Sequence, residues 1–220
     1  MSGSFFPYLS LAEEYFKAHG QRATYKKRQL LVRHDEPSQW IFFLRSGLIK
    51  VAYTLDDGTE RLMGYFVPGM VFAQLGALFP DSLSGMEYEA SLNTEVYRLP
   101  RQEFFGALTR DIEMSQEYLE AMLKIQVFLI ERLEYQGEKG MRQKYLKWLL
   151  FVMRYYGRVE GSTCFIVLPL TQTDIANFLL ATRESASKVT NQFIRQGLIR
   201  IENHHVVIQD VARLKKLAGK

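Results

Sequence analysis

The sequence predicts an α+β chain: a small antiparallel β-roll or barrel, then one long helix, then two short capped helices closed by a two-stranded ribbon. Three observations carry this. From about Arg28 to Leu99 the chain is cut into short runs rich in β-branched and aromatic residues. Near Pro100 the apolar period turns helical. After Gln136 that helical pattern is broken by Gly137 and Gly140, and two shorter helical patterns follow.

A chain of 220 residues with 47% hydrophobic and 13% aromatic content can build two packed domains. The boundaries read as 1–107 for the roll, 108–138 for the long helix and a glycine-containing hinge, and 139–220 for the terminal helical unit. No stretch approaches the roughly 20 apolar residues of a membrane span. The N-terminal residues lack the basic start and apolar run of a signal peptide, so a cytoplasmic location is expected. A single cysteine, Cys164, excludes an internal disulfide, a cysteine-ligated iron–sulfur cluster and a zinc finger. The four histidines do not converge with other ligands in the sequence, so neither a metal site nor haem is predicted, and no catalytic constellation emerges. The net charge of +4 is compatible with nucleic acid but does not by itself require it.

In the roll, Ile41–Leu44, Leu48–Tyr53, Arg61–Val67 and Glu95–Leu99 read as strands bounded by turns. Asp57-Gly58 between two of them is a hairpin signal, because glycine reaches positive φ without steric cost. A short helical lead spans Leu9 to His19. In the long helix, Met114, Tyr118, Ala121, Ile125 and Phe128 recur in four- and three-residue steps, with Tyr135 a heptad further on and Arg132 interrupting. Leu119, Leu123, Ile130 and Leu133 line another side. A helix apolar on two sides is buried on two sides. We assign Tyr118, Ala121, Ile125 and Phe128 to a homodimer seam and leave the other side for the protein's own core; packing of both sides within one chain is the alternative. A second helix is predicted over Met141–Tyr156.

Thr171-Gln-Thr-Asp174 has the form of a capping box, followed by the apolar Ile175, Phe178 and Leu179. The chain turns at Leu180-Ala181, Thr182 caps a second helix, and Gly197 ends it. Ala186, Val189 and Phe193 face inward, leaving Arg183, Ser187, Lys188, Asn191 and Arg195 on the opposite face. Leu198–Ile201 and Val206–Ile208 form a wing. Two short helices with a tight turn and a basic outer face match helix-turn-helix geometry. Arginine can bond guanine bidentately and glutamate can accept from cytosine, so Arg183 and Glu184 are assigned to base reading. Thr182, Ser187, Lys188, Asn191, Arg195 and Gln172 of the first helix complete the predicted double-stranded DNA surface.

These residues resemble the Crp/Fnr family of transcription regulators over most of the chain. The resemblance rests on Phe43-Leu-Arg-Ser-Gly-Leu-Ile-Lys-Val51, Asp57-Gly58, Gly69, Phe72-Ala-Gln-Leu-Gly76, Leu170-Thr-Gln-Thr-Asp-Ile-Ala176 and Thr182-Arg-Glu-Ser185. It implies a cyclic-nucleotide-binding-like roll, a long dimerisation helix, and a winged helix-turn-helix on a two-fold symmetric operator, with RNA polymerase as partner; an activator is the expected type, and whether ligand activates or represses stays open. Three departures matter. Ala73-Gln74 and Ser84-Gly85 stand where cyclic-AMP binders carry Gly-Glu and Arg-Ser, which leaves a cyclic phosphate without an arginine. The oxygen-sensing cysteines are missing. Leu180 occupies a turn position where relatives carry glycine, at roughly 1–2 kcal/mol if it is left-handed.

An effector site lined by Tyr65, Phe72, Leu75, Tyr88, Ile125 and Leu129, with Gln74 as polar handle, would suit a small hydrophobic or aromatic organic molecule. The same side chains read equally as core filling in a constitutively active regulator. An effector-binding module without a DNA role and a cupin-like metalloenzyme are the competing classes. The capped helix pair with its wing argues against the first, and the positions of the histidines against the second.

Overall fold

A computed structural model describes residues 5–33, 38–55, 58, 60–73 and 86–219. The order is α1 (Ser10–His19), β1 (Gln21–Tyr25), β2 (Leu30–Val32), β3 (Trp40–Ser46), β4 (Ile49–Thr54), β5 (Glu60–Phe66), β6 (Val71–Phe72), β7 (Met86–Ala90), β8 (Thr94–Pro100), α2 (Arg101–Arg110), α3 (Ile112–Gln136), α4 (Met141–Tyr156), β9 (Gly157–Glu160), β10 (Thr163–Ile166), α5 (Gln172–Leu179), α6 (Arg183–Arg195), β11 (Ile199–Glu202), β12 (His205–Ile208) and α7 (Val211–Leu217). The α+β class follows. Backbone contacts divide the chain inside α3. One unit is Phe6–Leu123; the other is built from Lys124 onward, with Phe5 added to it.

In the first unit, β1-β8-β3-β6 and β2-β7-β4-β5 form two antiparallel four-stranded sheets. Side chains alternate across a strand, and β3 is buried on both of its faces. Ile41 and Phe43 join Leu9, Phe16, Leu99, Phe104, Met114 and Ala121 in a core shared with α1, α2 and the start of α3. Phe42 and Leu44 face the interior of the roll with Ile49, Val51, Phe72 and Tyr88. The helical stretch expected from Pro100 is two helices, broken at Asp111, whose Oδ1 accepts the Met114 N–H at 3.0 Å and so opens α3.

No side chain of its own caps α1. The Glu117 carboxylate of α3 does so, accepting from the backbone N–H groups of Ser10, Leu11 and Ala12 at 2.7–3.3 Å and from Ser10 Oγ at 2.9 Å. These are the orphan donors of a helix N-terminus, where the backbone dipole also favours a negative charge.

In the second unit α4 supplies Tyr145, Leu146, Trp148, Leu149, Val152 and Tyr156 to a core beneath α5 and α6. The sheet is β11-β12-β10-β9, so the wing is continued by a second ribbon, β9–β10, which the sequence reading did not separate. A terminal helix, α7, capped by Asp210, was also not anticipated. No described helix is long and apolar enough to cross a membrane.

Candidate nucleic-acid interface

The capping box at Thr171 forms as its spacing requires. Asp174 N–H donates to Thr171 Oγ1 at 3.1 Å, and Thr171 N–H donates to Asp174 Oδ2 at 2.9 Å. At the other end of α5, Leu180 takes φ 49° and ψ 49°, so the turn keeps the left-handed conformation without a glycine. Ala181 N–H reaches back to the Ala176 carbonyl at 3.0 Å and Leu180 N–H to that of Asn177 at 3.3 Å, which closes the turn. Thr182 then caps α6, accepting from Ser185 N–H at 3.2 Å. Gly197, at φ 65°, lets the chain leave α6 for β11.

α6 is seated by Ala186, Val189, Thr190 and Phe193. Tyr145 of α4 shares a 2.9 Å hydrogen bond with Thr190 and packs its ring 5.4 Å from that of Phe193. This anchoring points the opposite face outward. Thr182, Arg183, Glu184, Lys188, Asn191 and Arg195 are all exposed. Arg183, Glu184 and Lys188 enter no ion pair among the described residues, so their charges remain available to a partner. Arg195 Nε lies 3.4 Å from the Asn191 carbonyl, a weak contact that leaves its other donors to solvent. Ser187 and Gln172 are half-buried and bonded to each other, Ser187 Oγ donating to Gln172 Oε1 at 3.2 Å; they tie α6 to α5.

The wing turns through Asn203 and His204, both at positive φ, the combination a two-residue hairpin of this hand demands. His205 is drawn back against the sheet, its Nδ1 3.1 Å from the Ile166 carbonyl and its ring stacked on Phe165. Among the described residues no group of three or more His, Cys, Asp or Glu could hold a metal. Cys164 is buried, and burial pushes its thiol up to about 11, which keeps it protonated at neutral pH.

In the roll, Phe72 packs 5.2 Å from Phe42, 5.4 Å from Phe66 and 5.6 Å from Tyr88. Tyr65 is also buried, and burial pushes the Tyr88 hydroxyl well above its usual range. Gln74, Leu75 and the Ser84-Gly85 segment lie outside the described residues, as do Asp57 and His34. Ile125 and Leu129 belong to the other unit, half-buried and exposed respectively.

The faces of α3 are distributed differently from the sequence reading. Tyr118 packs against Phe104, and Ala121 lies in the core of the first unit. Phe128 is enclosed by Phe151, Tyr155 and Tyr156 of its own chain, and Tyr135 by Phe151. Tyr118, Ala121 and Phe128 therefore face the chain's own cores, and Ile125 between them is half-buried. Ile112, Leu119, Leu123, Ile130 and Leu133 are each more than half exposed. With Gln116 and Gln126 they form a second, unbroken heptad series displaced by two residues.

Residues that sequence reasoning passed over cluster at the end of α3. The Phe178 carbonyl of α5 accepts from Tyr135 Oη at 3.1 Å and from Gln136 Nε2 at 3.2 Å. The Arg132 guanidinium sits 5.6 Å above the Phe178 ring. The signal was there: a charged residue interrupts an otherwise apolar heptad series.

Residues 22–111 match the cyclic nucleotide-binding domain, and residues 143–217 match the Crp-like helix-turn-helix domain. The chain is 26% identical to the CRP-like cAMP-activated global transcriptional regulator of Mycobacterium tuberculosis, covering 90% of this chain and 88% of that protein. It is 24% identical to the transcriptional regulatory protein btr of Bordetella pertussis, over 91% and 82%. Among solved structures, a CooA mutant from Carboxydothermus hydrogenoformans shares the fold with a TM-score of 0.78 at 16% identity, covering 99% of this chain and 97% of that one. FixK2 from Bradyrhizobium japonicum does so with 0.73 at 20%, over 90% and 96%.

Proposed function

The chain belongs to the Crp/Fnr family of DNA-binding transcription regulators with an effector-binding domain, and from that premise we propose that it acts as a homodimer on a two-fold symmetric operator, each subunit reading bases through Arg183 and Glu184. The observation that carries this is the outward face of α6. Arg183 and Glu184 stand exposed in its first turn, which enters the major groove most deeply, while the helix is fixed from behind by Phe193 and Thr190. Lys188 and Arg195 supply phosphate contacts, which position without specifying. Selecting bound duplexes from a random pool tests the reading. Arg183→Ala should cost roughly 1–3 kcal/mol on the best site and flatten preference at one G·C position per half-site. Arg195→Ala should weaken all sequences alike and lower the salt slope by about one charge per subunit. Unchanged base preference in Arg183→Ala would move the reading surface elsewhere.

We assign the dimer contact to Ile112, Leu119, Leu123, Ile130 and Leu133 of α3, against the same residues of a second copy. Heptad spacing and aliphatic side chains suit a two-helix seam. One flank of the seam carries Glu113, Glu120, Val127 and Glu134; the other carries Ser115, Met122, Leu129 and Gln136. Parallel pairing sets each flank against the other, so carboxylates meet neutral residues. Antiparallel pairing sets like flanks together and opposes Glu113 to Glu134, so a parallel pair is favoured.

The reading extends to a small organic effector other than cyclic AMP, to recruitment of RNA polymerase at activated promoters, and to a cytoplasmic location. The packing of Phe42, Phe66, Phe72 and Tyr88 supports a second reading of the roll, in which it is filled by its own side chains and the regulator needs no effector. Operator binding by the purified protein, with and without small molecules extracted from cells, separates the two. Titration calorimetry with cyclic AMP should give no saturable heat in the micromolar range.

A further inference from the structure

The covalent path from α3 to α4 runs through Gly137 and Gly140, a connection with little stiffness of its own. Non-covalent contacts bridge it on either side. Glu138 pairs with Lys147, Glu131 pairs with Arg154 at 2.6 Å, and Tyr155 Oη donates to Glu131 at 2.9 Å. The Glu131 contacts fasten α3 to α4, and the Glu138 pair ties the connection itself to α4. One further contact bypasses α4 and reaches the helix-turn-helix directly. In the last turn of α5 the Phe178 carbonyl has lost its helical partner, because the chain turns left-handed at Leu180. Both of its acceptor positions are taken from α3, by Tyr135 Oη at 3.1 Å and Gln136 Nε2 at 3.2 Å. Arg132, one turn earlier and buried, lies over the ring of the same residue. Tyr135 is 1% exposed, so its hydroxyl would be left without water if this bond were lost.

We infer that Tyr135 and Gln136 are positioning residues for operator binding: by filling the terminal carbonyl of α5 they lock the direction of the recognition helix to the axis of α3. The inference rests on the dimer-on-operator reading, in which α3 lies along the two-fold axis. In such a dimer the separation and angle of the two recognition helices are set where each α3 grips its own α5. Base reading by α6 is a separate matter, since Tyr135 and Gln136 are remote in sequence from Arg183 and Glu184 and meet α5 at a main-chain atom. Loss of the grip therefore affects the pairing of half-sites and spares the single half-site.

The test uses the full chain and the double variant Tyr135→Phe with Gln136→Met, which keeps volume and removes both donors. Duplexes carry the pool-selected site as a single half-site, or as two half-sites at spacings stepped by one base pair. The wild type should show one sharp spacing optimum. The variant should lose about tenfold at that optimum and show a broadened spacing profile, with single half-site affinity unchanged within about twofold. Tyr135→Phe alone should give an intermediate profile, and it guards against misfolding of the double variant. If the wild type shows a sharp optimum and both variants match it, the inference fails alone. A variant that loses half-site affinity in the same proportion as paired-site affinity also overturns it, since the role is then merely structural. A wild type with no preference for paired half-sites at any spacing removes the operator reading and the inference together.

Discussion

Two faces of α3 carry the same heptad spacing, two residues out of phase, and meet different fates. Met114, Tyr118, Ala121, Ile125, Phe128, Arg132 and Tyr135 are buried or half-buried within the chain. Ile112, Gln116, Leu119, Leu123, Gln126, Ile130 and Leu133 form the other series, its aliphatic members more than half exposed. Period alone cannot tell them apart, because any straight helix buried along one side repeats in this way. Side-chain type separates them. The covered face is rich in aromatics, which need irregular, wide pockets such as the one formed by Phe151, Tyr155 and Tyr156. The open face is leucine and isoleucine, which fit the regular holes of a second helix.

The comparison can be broken most sharply at Phe128. Phe128→Ala should cost about 3–5 kcal/mol of unfolding free energy, read from chemical denaturation, because its pocket lies within one chain. A variant that stays fully stable but turns monomeric would return this face to the dimer. Glu117→Ala comes next. It strips the cap from α1 and leaves three backbone donors without their carboxylate, at roughly 1–3 kcal/mol. Smallest on the stability scale is Leu123→Glu with Ile130→Glu. Each should change folding by less than about 0.5 kcal/mol when both proteins are compared as monomers, since neither position is covered in the chain. Sedimentation should nonetheless show the dimer gone, and two-half-site operators should be bound no more tightly than single ones. An intact dimer would place the contact off this face.

Legibility in the sequence followed the range of the interactions. The helix-turn-helix was readable almost to the residue because its signals are local: Thr171 with Asp174, Thr182 with Ser185, Gly197 after the last turn. The central strands of the roll were readable from composition. β1, β2, β6 and β7 were not, because each is defined by a partner far along the chain, as Gln21 is by Arg98 and Leu30 by Glu89. The grip on Phe178 is non-local in the same way. Arg132 announced that something happens at the end of α3, but only the fold says that the partner is a main-chain carbonyl more than forty residues on. The assignment of one heptad series to a partner and the other to the chain itself failed for that reason as well: the pockets that receive Tyr118 and Phe128 come from α2 and α4.

The left-handed leucine in the turn between α5 and α6 has a consequence for how this regulator can change over time. Leu180 is 44% exposed and packs little, and the turn it occupies is closed by main-chain hydrogen bonds at Leu180 and Ala181. Glycine at this site would relieve the left-handed strain and regain roughly 0.5–1 kcal/mol after its own entropy loss, without altering the angle between the two helices. The position is thus a stability dial that turns independently of base recognition. A lineage can accumulate costly substitutions on the reading face of α6 and recover the loss here, with no second change at the DNA.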